Sequence, residues 1–291
     1  MPDGETAGGG TAEPIKESEI RGYIRPRRKD SHKGNYGRLL IAAGSPGMAG
    51  AAVLAARAAF RGGAGLVTVS IDEGLFPVIH AGVAEATCKG RDLREISPAD
   101  YDAVAAGPGL GRAGHTRALV EYLLENCTGP LILDADALNV MASDPASLKT
   151  AKGRLIITPH PGEAARLLGV SAGEISGDRP GSAVRLCETT GAVVVLKGAA
   201  TLVVSPHGVV AVNSTGNPGM ASGGCGDVLT GLITAFAGCG LDPFAAAKAG
   251  VYIHGRAGDL CAEIRGEYGL IASDLAEMTA MAIKELAENG G

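Results

Sequence analysis

The stretch "NPGMASGGCGDVLTG", residues 217–231, places one acid, Asp227, behind a run of glycines and ahead of an apolar "VLTGLITAF". Glycines cluster where the backbone needs unusual dihedrals or close approach to another group. At the start of a helix that group is often an anion, because free N–H groups and the helix dipole both favour negative charge. The plainer alternative is a glycine-rich turn with an acid capping the helix, and the motif alone leaves both open.

Two further stretches carry candidates. In "TPHPGEAARLLG" (158–169), His160 sits between two prolines, too rigidly held to suit a core histidine, and reads as functional. Glu163 opens the following helix, at the mouth where open α/β sheets bind ligands. It reads equally well as a first-turn acid complementing the helix dipole. In "VVVLKGAAT", Lys197 closes an apolar strand, where its charge could receive phosphate or could simply snorkel to solvent. The glycine-rich helix start roughly 25 residues later favours phosphate.

"GLGRAG" (109–114) matches GxGxxG, with Asp134 near the end of the next strand, close to a dinucleotide fingerprint. Pro108 interrupts the tight turn, however, and the unit lies mid-chain, so it reads better as a loop that lets a substrate approach the backbone. No GxxxxGK[ST], protein-kinase set or HExxH occurs, which excludes a P-loop, a protein kinase and a zinc hydrolase of that type.

The elements that position these residues alternate. Apolar runs at 38–44, 65–71, 103–107, 130–136, 154–159 and 192–198 read as buried parallel strands. Ala-rich stretches such as 47–63, "TRALVEYLLEN" and "PGEAARLLG" read as helices between them. Residues 201–213 read as a hairpin turning at Pro206-His207-Gly208, followed by helices near 225–238, 243–263 and 273–288. The alternation predicts an α/β fold, a mostly parallel central sheet covered by helices on both faces. Residues 1–17 are small and polar and are expected to be a disordered extension; 18–291 is expected to be a single domain.

Composition bounds the rest. In 291 residues the net charge is −5 and tryptophan is absent. There is no basic footprint for nucleic acid and no apolar run long enough to span a membrane. The closest two of the six cysteines are 225 and 239, which excludes CxxC spacing and suggests reduced thiols in a cytoplasmic protein.

In chain order, "DSHKGNYGRLLIAAGSPGMAGAA", "AAGPGLG", "LDADALN", "ITPHPGEAARLLG", "VVLKGAAT" and "NPGMASGGCGDVLTG" cover residues 30 to 231. Together they closely resemble the ADP/ATP-dependent NAD(P)H-hydrate dehydratases of nicotinamide nucleotide repair. The resemblance implies a ribokinase-like three-layer α/β/α sandwich. It also implies dehydration of NADH or NADPH hydrated at C6 (NAD(P)HX), with ADP or ATP as co-substrate and Mg²⁺. Asp227 would be the base, and the N–H groups of Gly224, Cys225 and Gly226 the anion hole. Lys197, Gly198, Ala199, Ala200 and Thr201 would contact the nucleotide, with Gly224, Cys225 and Gly226. Ala51, Gly109, Gly111, His160, Asn217 and Asp227 would line the NAD(P)HX side. Glu163 aligns with the acid of the kinase NxxE motif, which helps hold Mg²⁺ through water; His160 stands where that motif has Asn. Cys225 replaces the Thr or Ala common at its position.

Many members are fused to an epimerase; this chain is expected to work with a separate one. The family's tendency to assemble, with Ala/Gly-rich helices such as "AGAAVLAARAAF", implies a homotetramer. Three other readings compete. A ribokinase-like small-molecule kinase of the hydroxymethylpyrimidine or thiazole type would share Asp227 but leave a stable phosphorylated product. A dehydrogenase would rest on "GLGRAG". A non-catalytic dinucleotide sensor would not explain a base beside an anion hole.

Overall fold

A computed structural model describes residues 12–24, 26–92 and 95–288. The apolar runs become strands β1 (Glu13–Pro14), β2 (Arg38–Ala42), β3 (Leu66–Ser70), β4 (Thr87–Lys89) and β5 (Ala103–Ala106). They continue as β6 (Leu131–Leu133), β7 (Leu155–Ile157), β8 (Val193–Leu196), β9 (Leu202–Val204) and β10 (Val210–Val212). All join one sheet of order β1-β10-β9-β8-β7-β6-β5-β2-β3-β4. Pairing from β4 through β8 is parallel, while β8, β9 and β10 pair antiparallel, the expected hairpin.

Side chains of successive strand residues fall alternately into two cores, as the pleat requires. Leu39, Ile41, Ala103, Ala105, Ile132, Ile156, Val193 and Val195 face one layer. That layer holds helices α1 (Glu17–Tyr23), α2 (Ala49–Arg61), α3 (Phe76–Gly82), α9 (Cys225–Gly238), α10 (Pro243–Arg265) and α11 (Ala272–Glu288). Leu40, Ala42, Val104, Ala106, Leu131, Leu133, Leu155, Ile157, Val194 and Leu196 face the other. There lie α4 (Gly114–Asn126), α5 (Ala135–Met141), α6 (Pro161–Leu168), α7 (Ala172–Gly177) and α8 (Arg179–Thr190). The three-layer α/β/α architecture is therefore as expected.

Three expectations change. The extension predicted over 1–17 is ordered from residue 12: β1 pairs parallel with β10, and Ile15 is buried because it packs in the core under α1. Residues 1–11 lie outside the described residues. The run 130–136 is not strand to its end. β6 stops at Leu133, and Asp134 already leads into α5 through Ala135, whose φ of 48° is left-handed. Finally, the Ala/Gly face of "AGAAVLAARAAF" is not a free surface: Ala52, Ala55, Ala56, Ala58 and Ala59 are buried within this chain. Gly231 of α9 lies so close that a Cβ there would sit 2.1 Å from the Ala55 carbonyl oxygen. No described helix is long and apolar enough to cross a membrane.

Candidate active site

Parallel strands deliver their C-terminal ends to one rim, and the candidate residues gather there. β6 is followed directly by Asp134, β7 runs into His160 and β8 into Lys197. The first turn of α9 carries Asp227 across from them. Together they line a cavity of about 990 Å³ that also takes in Glu163, residues 198–201, Asn217, Gly224, Cys225, Gly226 and His254. That size suits a small-molecule site.

The Lys197 ammonium lies 2.7 Å from Asp134 Oδ1 and 3.9 Å from Glu163 Oε2. Asp134, only 1 % exposed, uses its other oxygen to accept from the Thr230 hydroxyl at 2.8 Å. Burial works against the lysine's charge, but the carboxylates of Asp134 and Glu163, with Asp227 behind them, outweigh it and hold the ammonium charged. Lys197 therefore does not snorkel; it is the cation of a buried acidic cluster.

Asp227 sits in the first turn of α9, and burial raises its carboxyl to about 7. Asp134 adds to the rise, and Lys197 partly offsets it. Gly224, the N-cap of α9, has φ 93°, a conformation natural only to glycine. A Cβ there would also meet Leu54 Cδ1 at 2.5 Å. The first helix-closing bond runs from Val228 N–H to Gly224 O at 3.1 Å, and earlier N–H groups of a helix have no intrahelical acceptor. The Cys225 N–H turns to Ser222 O at 3.4 Å, and the end as a whole is positively polarised and next to a lysine. A carboxyl that exchanges its proton near neutrality, beside an anion-receiving helix end, can deprotonate a hydroxyl while phosphate is held there.

His160 and Glu163 form a reciprocal cap on α6. His160 Nδ1 accepts from Gly162 N–H at 3.0 Å, and Glu163 Oε2 accepts from His160 N–H at 2.9 Å. His160 Nε2 lies 3.3 Å from Glu163 Oε1. Burial, with Lys197 and Arg166 nearby, lowers the imidazole pKa despite Glu163. The plain reading of Glu163 as a first-turn acid is therefore real, and it coexists with a place in the cavity wall. Asn217 caps a short turn by accepting from Gly219 N–H at 3.0 Å, and donates to Asp259 Oδ1 at 3.2 Å.

Ala51, Gly109 and Gly111 do not line this cavity. Ala51 lies in the first turn of α2, which follows β2, and the two glycines in the loop after β5, where the strand order reverses and α/β sheets bind ligands. A Cβ on Gly109 would meet Met48 O at 2.9 Å and Ala51 Cβ at 3.1 Å, and the Gly111 N–H donates to Asp136 at 2.9 Å. Gly109 thus serves close packing of loop on helix, whereas Gly111, with open space at its Cβ, serves the left-handed turn with φ 78°.

Two residues of the cavity were missed by sequence reasoning. In the sequence Asp134 stands out only as the acid that follows a GxGxxG-like stretch. His254 lies mid-helix in an Ala-rich stretch with no local signal. A third, Arg179 at the start of α8, donates to the carbonyls of Leu196, at 3.3 Å, and of Ala199 and Ala200, holding the loop 197–201 from behind.

A family model, NAD(P)H-hydrate dehydratase, matches residues 39–280. The chain belongs to the NAD(P)H-hydrate dehydratase family. The ADP-dependent (S)-NAD(P)H-hydrate dehydratase of Neisseria meningitidis is 40% identical over 264 residues, 87% of each chain. The bifunctional NAD(P)H-hydrate repair enzyme Nnr of Moorella thermoacetica is 44% identical over 279 residues, 90% of this chain but 52% of its own. The chain thus spans about half the length of its bifunctional relatives. Among solved structures, the ADP/ATP-dependent NAD(P)H-hydrate dehydratase of Bacillus subtilis, co-crystallized with ATP/Mg²⁺, superposes with a TM-score of 0.84 at 32% identity. It covers 94% of this chain and 99% of that one. A ribokinase-like superfamily protein of Enterococcus faecalis gives a TM-score of 0.86 at 26% identity, covering 99% and 100%. The dehydratase family's fold is thus the ribokinase-like sandwich that the motifs imply.

Proposed function

We propose that this dehydratase-family chain restores NADH and NADPH from their C6-hydrated forms, with ADP or ATP as phosphoryl donor. One observation carries the reading beyond family membership: a carboxyl raised to about 7, Asp227, in a helix's first turn across a cavity from a half-buried lysine. Asp227 accepts the proton of the hydrate's hydroxyl as that oxygen attacks the terminal phosphorus. The bond from phosphorus to the departing nucleotide breaks. N–H groups at the start of α9, with Lys197, receive the phosphoryl charge, the dominant contribution in such transfers. The C6–O bond then breaks with release of phosphate, pushed by the ring nitrogen's lone pair. A proton leaves the neighbouring carbon, and the dihydropyridine re-forms.

Residues 198–201 hold the nucleotide, while Ala51, Gly109, Gly111, His160 and Asn217 face the dinucleotide. Mg²⁺ accompanies the nucleotide in this reading. Among the described residues no three His, Cys, Asp or Glu side chains are grouped to cage a metal, and Glu163 Oε2 already serves the α6 cap. That donor set fits a cation bound mainly by phosphate oxygens and water, the usual state of Mg²⁺, with Glu163 as an outer carboxylate. When bound, the ion supplies neutralisation of phosphate charge.

ADP should support turnover at least as well as ATP, in keeping with the ADP-dependent relatives. A homotetramer in the cytoplasm, served by an epimerase, completes the reading; light scattering tests the assembly. The deciding experiment incubates the protein with hydrated NADH and either nucleotide and follows dihydronicotinamide absorbance. Recovery of the chromophore supports dehydration. A phosphorylated product without it would point to a small-molecule kinase instead.

A further inference from the structure

His254 lies in the middle of α10, outside every motif that marks the site, yet its ring reaches the glycine-rich start of α9. Its Nε2 stands 2.8 Å from the backbone oxygen of Cys225. A carbonyl oxygen can only accept, so Nε2 carries the proton and donates. Burial pushes the imidazole down to about 4, with Lys197 adding to the fall, so the ring is neutral through the physiological range.

The bonded oxygen belongs to the peptide that joins Cys225 to Gly226. That unit is planar, with its C=O and N–H pointing in opposite directions. A donor that fixes the Cys225 oxygen therefore also fixes where the Gly226 N–H points. Helical N–H groups point toward the helix N-terminus, which here is the end that opens into the cavity. Gly226 is where an added Cβ would come 3.4 Å from Lys197 Nζ, so this amide and the lysine approach the same space. A hydrogen bond at the oxygen also polarises the amide and strengthens its N–H as a donor.

The turn of α10 that leads to the imidazole is tied down. Carbonyls of the preceding turn of α10 are tied to the loop that bears Asn217. Asn213 Nδ2 donates to Val251 O at 3.2 Å, and Thr215 Oγ1 donates to Tyr252 O at 2.8 Å. Gly255, next to the histidine, permits this contact: a Cβ there would lie 2.6 Å from the Thr215 carbonyl.

We propose that His254 is a positioning residue for phosphoryl transfer, which by donating to the Cys225 carbonyl aims the Gly226 N–H at the transferring phosphate. The inference rests on the proposed dehydratase reaction. It does not make His254 a catalytic residue, since the ring acts through the peptide.

The test compares His254→Phe, which keeps a ring but no donor, with His254→Gln, whose side-chain amide can reach the same oxygen. Wild-type protein, both variants and Asp227→Asn are assayed with hydrated NADH, with thermal melts and calorimetric nucleotide titration in parallel. Expected for His254→Phe is a kcat about tenfold lower, roughly the worth of one hydrogen bond. KM and nucleotide affinity should stay near wild type, and His254→Gln should recover most of the loss. If His254→Phe does not fold, His254→Asn, too short to reach, replaces it against Gln. Equal kcat in folded donor and donor-less variants overturns the inference while leaving the reaction standing if Asp227→Asn is dead. Failure of the wild-type protein to restore the chromophore removes the reaction, and the inference with it.

Discussion

Lys197 and Asp134, 63 residues apart in sequence, meet at 2.7 Å beneath the first turn of α9, and the carboxylate is almost fully buried. The lysine is thus tied into the fold as well as aimed at the cavity. Among the described residues Lys197→Ala leaves the Asp134 carboxylate with only the Thr230 hydroxyl as hydrogen-bond donor, and breaking a buried pair costs about 3–5 kcal/mol. The variant should melt well below wild type as well as bind nucleotide weakly. Lys197→Met combined with Asp134→Leu, which removes both charges, should regain much of the stability but not the nucleotide affinity. Thermal melts and calorimetric titration of the two proteins check this. A Lys197→Ala protein as stable as wild type would contradict the pairing.

Asp227 supplies the main kinetic prediction. Asp227→Asn keeps the side chain's shape but loses the base; no side chain caps α9, so no cap is lost with it. Turnover should fall about 10²-fold or more, while substrate and nucleotide binding change little. If Asp227 had only a structural role, activity would survive.

The raised Asp227 pKa also sets a pH profile. The base acts deprotonated, so kcat/KM should rise with pH and level off above about 7. A profile already flat from pH 5 upward would assign the base to a group with an ordinary carboxylate pKa.

Stability should carry two opposed pH dependences. Asp227 has an ordinary pKa of 3.8 and a folded pKa of about 7. The folded state holds its proton more tightly, and that stability is lost as pH climbs through 7. His254 runs the other way, from 6.5 down to about 4. It favours the folded state above 6.5, and the advantage is lost as pH falls toward 4. Each is on the order of a few kcal/mol at most. Melts across pH 4 to 8 should therefore show Asp227→Asn gaining stability over wild type at the alkaline end. His254→Gln should flatten the acid side.

Two glycine substitutions should separate site from scaffold. Gly226→Ala meets Lys197 Nζ only at 3.4 Å, so it should fold while weakening nucleotide binding and turnover. Gly231→Ala would press a methyl to 2.1 Å from the Ala55 carbonyl and part α2 from α9. A loss of about 1–3 kcal/mol or more is expected, measurable by denaturant melts.

The sequence by itself determined the layered α/β architecture, because buried parallel strands and amphipathic helices leave different periodicities in the chain. It also marked the α9 terminus, Asp227 and the strand-end position of Lys197, since glycine clusters and charges at strand ends are local signals. It could not show the edges. β1 is only two residues long, β4 (Thr-Cys-Lys) has no apolar run to mark it, and helices such as α3 and α7 span barely two turns. Nor could it show which partners the charges would find. Asp134 meets Lys197 because β6, β7 and β8 lie side by side, and it meets Thr230, 96 residues away, because α9 crosses their ends. His254 touches the α9 terminus only because α10 packs beside α9. These contacts follow from the order in which strands and helices are laid across the sheet, and through-space neighbours of that kind leave no periodicity to read. The residues were legible one at a time; their pairing, burial and shifted protonation were decided by tertiary packing.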